Sequence, residues 1–297
     1  MSADPDRVLI ISPVRNEAAH IELVARGMER QSRPPDLWLL VDDGSDDGTP
    51  ELLREIASRL PYVRVLSTPP SFTRDTGDRH AVAAAPRAFN WALRTVDPEG
   101  FTHLGKLDGD IELPPDYFAR LLGEFDRDRS LGVGGGIVAE LVGSDWRPQR
   151  AAPHHVRGAL KLYRRECFEA IGGIQERLGW DGIDQTYARM RGYRTRSFGD
   201  NVARHHRPLG TADGAWRGMV RRGETHYQLG FSLPWVVLRA VRMCATRPVL
   251  KRGSAFLWGY LKAARQDAPR VEDQEYLRFV RRDELRRMRQ VLRRRPA

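Results

Sequence analysis

Four aspartates at the ends of two apolar runs are the side chains in this chain best suited to chemistry. Asp42 and Asp43 close one run, and Asp108 and Asp110 close a second run further along the chain. If both runs are strands, these carboxylates gather at one rim of a sheet, where like charges raise each other's pKa. A divalent cation such as Mn²⁺ or Mg²⁺ relieves that repulsion, and hard cations bridge carboxylates to phosphates. The pattern therefore predicts an enzyme that binds a nucleotide diphosphate through a metal ion.

Short apolar runs alternate with helical patterns as far as about residue 207, and this alternation predicts how the aspartates are positioned. Strands are expected over residues 8–12, 37–41, 63–66, 101–107, 131–140, 159–163 and 195–198. Strands that alternate with helices form a mostly parallel sheet with helices on both faces, and ligands bind beyond the carboxyl ends of such strands. Asn16 is expected to cap a first helix that runs to about Gln31. Residues 67–85 are expected to loop over the site.

The composition is typical of a folded cytoplasmic protein. Of the 297 residues, 41% are hydrophobic, which is enough to build a core. Two cysteines do not supply a disulfide framework or a cysteine-rich metal site. The N-terminus is polar and lacks the apolar segment of a signal peptide. The longest apolar stretch, residues 231–246, contains Arg239 and Arg242 and falls short of the roughly 18 uncharged residues that a spanning helix needs.

Positive charge is concentrated at the C-terminal end. Residues 231–297 hold 17 Lys or Arg and 6 Asp or Glu, a surplus that accounts for the whole net charge of +10. The spacing of Leu277, Val280 and Met288 predicts a basic amphipathic helix, and aromatic residues stand at 231–235 and 256–260. Such a segment either contacts an anionic membrane at its inner face or packs on the rest of the protein with its arginines in solvent. No nucleic-acid recognition motif accompanies it, so no nucleic-acid partner is expected.

Five motifs in order carry a family likeness. The segments 11–17 (ISPVRNE), 41–49 (VDDGSDDGT) and 107–110 (LDGD) are followed by 157–173 and by Trp180-Asp181, which stands eleven residues before Gly192. Together they resemble the successive motifs of family-2 glycosyltransferases with the GT-A fold, over about residues 8–207. The resemblance implies a Rossmann-like, mostly parallel α/β catalytic domain over 1–230. Its nucleotide-sugar half covers about 1–112 and its acceptor half about 113–230, and a basic helical extension follows over 231–297.

The resemblance assigns roles to the nucleotide side by position. Pro13, Arg15 and Glu17 fall where the end of the first strand contacts the nucleoside. Asp43 falls where a carboxylate accepts a hydrogen bond from the base, and Asp42 adjoins it.

The resemblance also assigns a metal site. Asp108 falls beside the ribose and the metal, and Asp110 is the expected metal ligand. His205 is expected to complete the metal site, with His206 as the alternative. A cation there stabilises the charge that builds on the diphosphate leaving group.

The acceptor side needs a base, because an alcohol is a poor nucleophile at pH 7. A positioned carboxylate helps such an attack by about 10²–10⁴-fold. Asp181 is implied as this general base, since its position matches the acidic motif of the family. Trp180 stands where the family usually has Glu, so Asp184, one turn later, is the alternative base.

The reaction implied is an inverting transfer of a sugar from a nucleotide diphosphate donor to a hydroxyl of a glycan or lipid-linked acceptor. A UDP-sugar is favoured, with GDP and dTDP open. A polyprenyl-phosphate glycosyltransferase is the near rival, and a phosphate nucleophile would need no general base. A nucleotidylyltransferase would need glycines after the first strand, and residues 13–17 have none. A nucleotide-binding scaffold without activity is the third alternative.

Three further features are expected to have no part in the chemistry. Gly134–Gly136 lacks the spacing of a phosphate loop and is expected to be a closely packed strand. His154 and His155 are expected on the solvated surface, and Lys106 at the rim of the sheet without a special role.

Overall fold

Nine strands within the described residues form one sheet. The computed structural model describes residues 6–73, 83–149, 152–207, 214–244 and 250–293, and the chain divides into two units, Met1–Pro208 and Leu209–Ala297. The strands, all in the first unit, are β1 (Val8–Val14), β2 (Leu37–Asp42), β3 (Val63–Ser67), β4 (His103–Leu107), β5 (Ile111–Glu112), β6 (Leu131–Val142), β7 (Asp145–Pro148), β8 (Leu160–Arg164) and β9 (Arg194–His205).

The strand order is β3-β2-β1-β4-β8-β6-β9-β5, with β7 beside β6. The pairs β3–β2, β2–β1, β1–β4 and β6–β9 are parallel, and they carry most of the paired residues. Strand β8 is antiparallel to both of its neighbours, and β5 is antiparallel to β9. The expected α/β architecture with a mostly parallel sheet is therefore confirmed. The short strands β5 and β7 were not predicted.

The central strands are apolar throughout because both faces of the sheet are covered. Every residue of β2 is buried, as parallel strands between two helix layers require. Alternate side chains along the strands belong to two separate hydrophobic core clusters. Ile10 and Leu40 lie in one cluster, and Leu9 and Leu39 lie in the other.

Seven helices in the described part of this unit flank the sheet. They are α1 (Ile21–Glu29), α2 (Thr49–Arg59), α3 (Pro70–Thr73), α4 (Ala84–Leu93), α5 (Tyr117–Arg127), α6 (Arg165–Ala170) and α7 (Trp180–Met190). The prediction that Asn16 caps α1 was wrong. Asn16 has a φ of 53°, and its side chain bonds to Asp46 at 2.6 Å, so it ties the loop after β1 to the loop after β2. Of the predicted loop 67–85, residues 74–82 lie outside the described residues.

The second unit is helical wherever it is described. Its helices are α8 (Gly214–Gln228), α9 (Leu233–Cys244), α10 (Lys251–Arg265) and α11 (Gln274–Arg293). Helices α8 and α10 approach closely through glycines, since a Cβ on Gly223 would lie 2.0 Å from the carbonyl oxygen of Phe256. The sequence placed the domain boundary at 230/231, whereas the two units divide at 208/209. The difference arises because α8 packs on α10 and so belongs with the later helices.

Candidate active site

The carboxyl ends of β1 and β2 finish side by side. Their register pairs Val14 with Asp42, and the next backbone N–H, of Asp43, donates to the carbonyl of Val14 at 2.8 Å. The buried carboxylate of Asp43 accepts a hydrogen bond from the Thr68 hydroxyl at 2.9 Å. Arg15 donates to the carbonyl oxygen of Asp43 at 3.1 Å. Arg15 and Asp43 therefore stand together at the strand ends.

Asp42 and Pro13 have a more structural place at this edge. The Asp42 carboxylate accepts a hydrogen bond from the backbone N–H of Ser45 at 3.0 Å, which closes the turn after β2. Pro13 lies opposite Val41 in the strand register. The Asp42 carboxylate therefore serves the turn, whereas the Asp43 carboxylate bonds to Thr68.

Strand pairing brings Asp110 and His205 together across a long stretch of sequence. The short strand β5 pairs with β9 so that Ile111 lies opposite His205. The Nε2 atom of His205 is then 3.3 Å from an Asp110 carboxylate oxygen, and both side chains are buried. Gly109 allows this turn to lie against β1, because a Cβ there would lie 3.2 Å from the Glu17 side chain.

Glu17 adds a third acidic group beside this pair. Burial, and then the nearby charge of Asp110, raise the pKa of Glu17. Two neighbours limit the rise: the His20 ring lies 3.0 Å and the Arg207 guanidinium lies 2.7 Å from the Glu17 carboxylate. Glu17 and Asp110 are thus two buried carboxylates close enough to affect each other's pKa, an arrangement that a bound cation would stabilise.

Asp110 and His205 shift each other's pKa in opposite directions. Burial by itself would raise the pKa of Asp110, but the hydrogen bond and charge of His205 outweigh it and lower that pKa. Burial would likewise lower the pKa of His205, but the hydrogen bond that His205 donates to the Asp110 carboxylate outweighs it and raises that pKa.

The donor set at this pair fits a divalent metal. The second carboxylate oxygen of Asp110 and the Nδ1 atom of His205 are buried and have no hydrogen-bond partner among the described residues. Carboxylate and imidazole are suitable ligands for Mn²⁺, which takes oxygen and nitrogen donors. Within the described ranges no group of three or more His, Cys, Asp or Glu surrounds a common point. A metal here would therefore take its remaining ligands from phosphate and water.

His206 is engaged elsewhere. Its Nε2 atom is 3.0 Å from the Glu112 carboxylate, and its ring contacts the ring of Trp146 at a centroid distance of 5.3 Å. Only its backbone N–H reaches Asp110, donating to the carbonyl oxygen at 3.0 Å. Of the two histidines, the geometry favours His205 beside the Asp110 side chain.

Asp181 lies in the first turn of α7, next to β8, which belongs to the family motif over residues 157–173. It is half-buried, and its backbone carbonyl accepts a hydrogen bond from Lys161 Nζ at 2.7 Å. Gly158 permits this close approach, because a Cβ there would lie 2.8 Å from the Trp180 ring and 3.1 Å from Asp181 Cβ. The start of α7 is thereby held against the chain just before β8.

Asp184 is in a different environment. It is 2% exposed, and its two carboxylate oxygens accept hydrogen bonds from Lys161 Nζ at 2.8 and 2.6 Å. The hydroxyl of Tyr163 donates to the same carboxylate. A carboxylate saturated in this way inside the protein is a poor candidate for a base that an acceptor must reach. The geometry therefore favours Asp181 over the alternative Asp184.

Lys106 was expected at the rim of the sheet without a role, and that expectation was wrong. It is 2% exposed, and its Nζ atom forms an ion pair with Asp108 and lies 5.3 Å from the centre of the Trp180 ring. Lys106 therefore links the Asp108 turn to the start of α7. The sequence did carry a signal, since a lysine inside a buried strand needs a partner, and the chain has only four lysines.

His155 was also wrongly expected to be solvated. It is half-buried, and burial lowers its pKa to about 4, although the charge of Asp181 acts in the opposite direction. Its neutral ring lies 3.5 Å from the side-chain nitrogen of Gln185, which also donates to the backbone carbonyl of Asp181. Arg157 lies close enough for the charge of Asp181 to raise its pKa, although burial lowers that pKa overall. No pattern in the sequence distinguished these two side chains.

The glycine-rich strand is as predicted. Gly134–Gly136 lies in β6, and a Cβ on Gly136 would be 2.1 Å from the carbonyl oxygen of Asn201. The glycines permit close packing of neighbouring strands and form no phosphate loop.

A mostly parallel α/β sheet with an acidic rim at its strand ends, followed by a helical region, is the GT-A-like class of fold. Residues 9–176 match the family model described as Glycosyl transferase family 2, and the chain belongs to this family.

Curated relatives cover part of the chain. Polyprenol monophosphomannose synthase of Mycolicibacterium smegmatis is 29% identical over 182 residues, which is 56% of this chain and 64% of that protein. Succinoglycan biosynthesis protein ExoA of Rhizobium meliloti is 26% identical over 195 residues, 57% of this chain and 53% of that protein. Undecaprenyl-phosphate 4-deoxy-4-formamido-L-arabinose transferase of Pseudomonas aeruginosa is 29% identical over 194 residues, 58% of this chain and 51% of that protein. The chain thus spans about half to two thirds of the length of these relatives.

Solved structures share the fold. The mannosyltransferase PcManGT from Pyrobaculum calidifontis, in complex with GDP-Man and Mn²⁺, has a TM-score of 0.56 at 21% identity, over 97% of this chain and 78% of that chain. TarS of S. aureus in complex with UDP-GlcNAc has a TM-score of 0.54 at 13% identity, over 88% of this chain and 73% of that chain. At these identities the likeness shows the fold alone.

Proposed function

We propose that this protein transfers a sugar from a nucleotide diphosphate donor to an acceptor hydroxyl, with inversion, and that Asp110 and His205 hold a divalent metal. One observation carries the proposal: a buried Asp110 oxygen without a hydrogen-bond partner stands beside His205 at the carboxyl edge of the sheet. Arg15 and Asp43 are then on the nucleoside side. Glu17, Asp42 and Pro13 complete that edge, and Asp108 lies toward the ribose.

The acceptor side of the proposal rests on Asp181. Its side chain is half-buried, and no hydrogen bond to its carboxylate is made within the described part of the chain. In the proposed step the acceptor oxygen bonds to the anomeric carbon while the bond from that carbon to the diphosphate oxygen breaks. The acceptor proton passes to Asp181, and the nucleoside diphosphate leaves with the electron pair. A divalent cation, when bound, supplies charge stabilisation to that leaving group.

This chain's own cations also prepare the site for an anionic donor. Arg207 is partly exposed beside Glu17, where its guanidinium is available to a phosphate oxygen. Lys106 holds Asp108 in place through their ion pair.

The donor class is tested by thermal-shift titration with UDP, GDP, dTDP, ADP and CMP, with and without Mn²⁺. A UDP-sugar is the first expectation, and GDP-mannose is the second because the PcManGT structure contains GDP-Man. A nucleotide at 100 times its Kd stabilises the folded state by about 2.7 kcal/mol. We expect one diphosphate to give a Mn²⁺-dependent shift that Asp110→Ala abolishes.

Asp116→Ala is the matched control, since Asp116 is a partly exposed aspartate whose partner is Arg120. It should leave the nucleotide shift unchanged. The absence of a shift with every nucleotide in the presence of Mn²⁺ would refute the proposal and favour a scaffold without activity.

A second candidate, transfer to a polyprenyl phosphate, is favoured by the names of two relatives. A phosphate nucleophile is already ionised, so it needs no base. Asp181→Asn distinguishes the two acceptors. We expect it to lower kcat by about 10²–10⁴-fold with a hydroxyl acceptor. Retention of most activity with a polyprenyl phosphate would instead establish the second candidate. Either acceptor is compatible with a cytoplasmic protein that works at the inner face of a membrane.

A further inference from the structure

The second unit exposes apolar side chains on two adjacent helices. The described residues include ten exposed large hydrophobic side chains, and six of them lie on α9, on α10 or directly before α10. These six are Leu233, Val237, Val241, Leu250, Trp258 and Leu261. Trp258 is the largest of them and is 56% exposed. A cluster of this kind on a folded unit marks an interaction surface.

Helices α9 and α10 pack antiparallel to each other. The backbone N–H of Leu250 donates to the carbonyl of Cys244 at 3.1 Å. One turn further, a Cβ on Gly253 would lie 2.2 Å from the carbonyl oxygen of Ala240. At the far end the hydroxyl of Tyr260 donates to the carbonyl of Phe231 at 2.8 Å. Residue numbers at successive contacts therefore increase along α10 and decrease along α9, so the two helices run in opposite directions.

This packing places the two exposed stripes on one side. Successive residues of a helix are rotated by about 100° about its axis. On α9, Val237 and Val241 are rotated in one sense from Ala240, the residue that contacts α10. On α10, Leu250, Trp258 and Leu261 are rotated in the same sense from Gly253, the residue that contacts α9. In an antiparallel pair, equal offsets in the same sense fall on the same face. We call this surface the α9–α10 face and define it by Val237, Val241, Leu250, Trp258 and Leu261.

The two helices that carry the α9–α10 face bear charge of one sign, although Lys262 on α10 pairs with Glu224 of α8. Residues 233–265 contain seven Lys or Arg and no Asp or Glu. Of these, Arg242, Lys251 and Arg265 are exposed on the same two helices. Basic side chains around an apolar, tryptophan-bearing face are what an anionic lipid surface recognises. A second copy of this chain would instead bring like charges together.

Outside these two helices, the described residues of the second unit expose one large hydrophobic side chain on each remaining helix, Trp216 on α8 and Leu285 on α11. In the predicted apolar stripe of α11, Val280 is buried, and the side chain of Leu277 packs against Gly230. Glu284 on α11 accepts hydrogen bonds from Ser232. The aromatic residues expected to face a membrane are mostly internal, since Trp235 and Phe256 are buried. No helix in the described ranges is both long enough and apolar enough to cross a bilayer.

We propose that the α9–α10 face docks the protein on an anionic lipid bilayer. Trp258 and the aliphatic side chains of the face enter the interfacial region. Arg242, Lys251 and Arg265 contact lipid phosphates. The occupant is a lipid surface, with no spanning segment required, and the docking is independent of the proposed sugar transfer.

The test is co-sedimentation of the full chain with vesicles of phosphatidylcholine, alone or mixed with phosphatidylglycerol. Wild-type protein should sediment with the anionic vesicles and should not bind the neutral vesicles. Trp258→Glu and Val241→Glu should each weaken binding at least tenfold, and Lys251→Glu should weaken it more than the about fivefold expected for loss of one charge. Trp258→Phe should also remove most of the fluorescence quenching by brominated phosphatidylcholine in the mixed vesicles.

The matched control is Leu285→Glu on α11, where Leu285 is 52% exposed. It should bind anionic vesicles like the wild type. Equal weakening by Leu285→Glu and Trp258→Glu would overturn the assignment of the face. So would a lack of binding to anionic vesicles, or light scattering that shows a dimer which Trp258→Glu converts to monomer. Circular dichroism confirms that each variant is folded.

Asp110→Ala should bind vesicles as the wild type does. A failure of sugar transfer and a failure of membrane docking are therefore separate results.

Discussion

Replacing Lys161 by Met should destabilise the first unit strongly. Lys161 is buried, and its ammonium lies 2.6 and 2.8 Å from the two carboxylate oxygens of Asp184. At an effective dielectric constant of about 20, unit charges about 2.7 Å apart attract by about 6 kcal/mol before desolvation is counted. Removal of one partner leaves the other charge buried, and such changes cost about 3–5 kcal/mol. We expect a loss of free energy of unfolding in that range.

The same substitution at an exposed pair is the control. Lys262 contacts Glu224 at 2.7 Å, but the Lys262 side chain is 42% exposed. Exposed pairs contribute about 0–1 kcal/mol, so Lys262→Met should change the free energy of unfolding by less than that. The ion-pair distances are nearly equal, so the two sites differ mainly in burial and in the further hydrogen bond from Lys161 to the Asp181 carbonyl. The measurement is urea unfolding followed by tryptophan fluorescence and by circular dichroism.

The loss in Lys161→Met should also depend on pH. Burial raises the pKa of Asp184 even in the intact pair, and removal of the ammonium raises this pKa further. A carboxyl whose folded pKa lies above its unfolded value, about 3.9, stabilises the fold at low pH and loses that contribution as pH rises through the folded pKa. The deficit of the variant should therefore be smaller at pH 5 than at pH 8. Equal losses for the two lysine variants, or a deficit that grows at low pH, would refute this account.

Two further predictions concern close packing and the site. Gly223→Ala should lower the stability of the second unit by about 1–3 kcal/mol, because its Cβ would collide with the carbonyl of Phe256. The control is Gly218→Ala on the same helix, where nothing lies within 4 Å, and it should be neutral or stabilising by up to about 1 kcal/mol. Thermal unfolding measures both variants, and similar losses would contradict the packing argument. Lys106→Met should weaken nucleotide binding about tenfold, because a charge-assisted hydrogen bond that holds Asp108 is lost. Isothermal titration calorimetry measures the affinity, with Lys251→Met at an exposed lysine as the control. An unchanged affinity would show that Lys106 serves stability alone.

Much of the catalytic unit was predictable because its signals are local. An apolar run followed by aspartates marks both a buried strand and its carboxyl end, so the position of Asp43 and Asp110 at the sheet edge needed no structure. The alternation of strands and helices predicted the mostly parallel sheet for the same reason. The family motifs added the order in which these elements contribute to a site.

The sequence could not decide which distant side chains would meet. His205 lies beside Asp110 because β5 pairs with β9 in one register. The sequence of neither segment indicates which remote strand it will pair with. The choice between Asp181 and Asp184 depended on burial, which the neighbours Lys161 and Tyr163 impose. Both residues look alike in a one-dimensional pattern.

The C-terminal region divides in the same way. Its sequence by itself determined that the segment is basic and helical, because charge and helical spacing are properties of consecutive residues. Only the tertiary structure decided which apolar side chains remain in solvent, because the exposure of a side chain depends on which other helices pack against it. Trp235 is buried and Trp258 is exposed for that reason alone: each helix uses one face against its neighbours, and only the packed helices show which face that is.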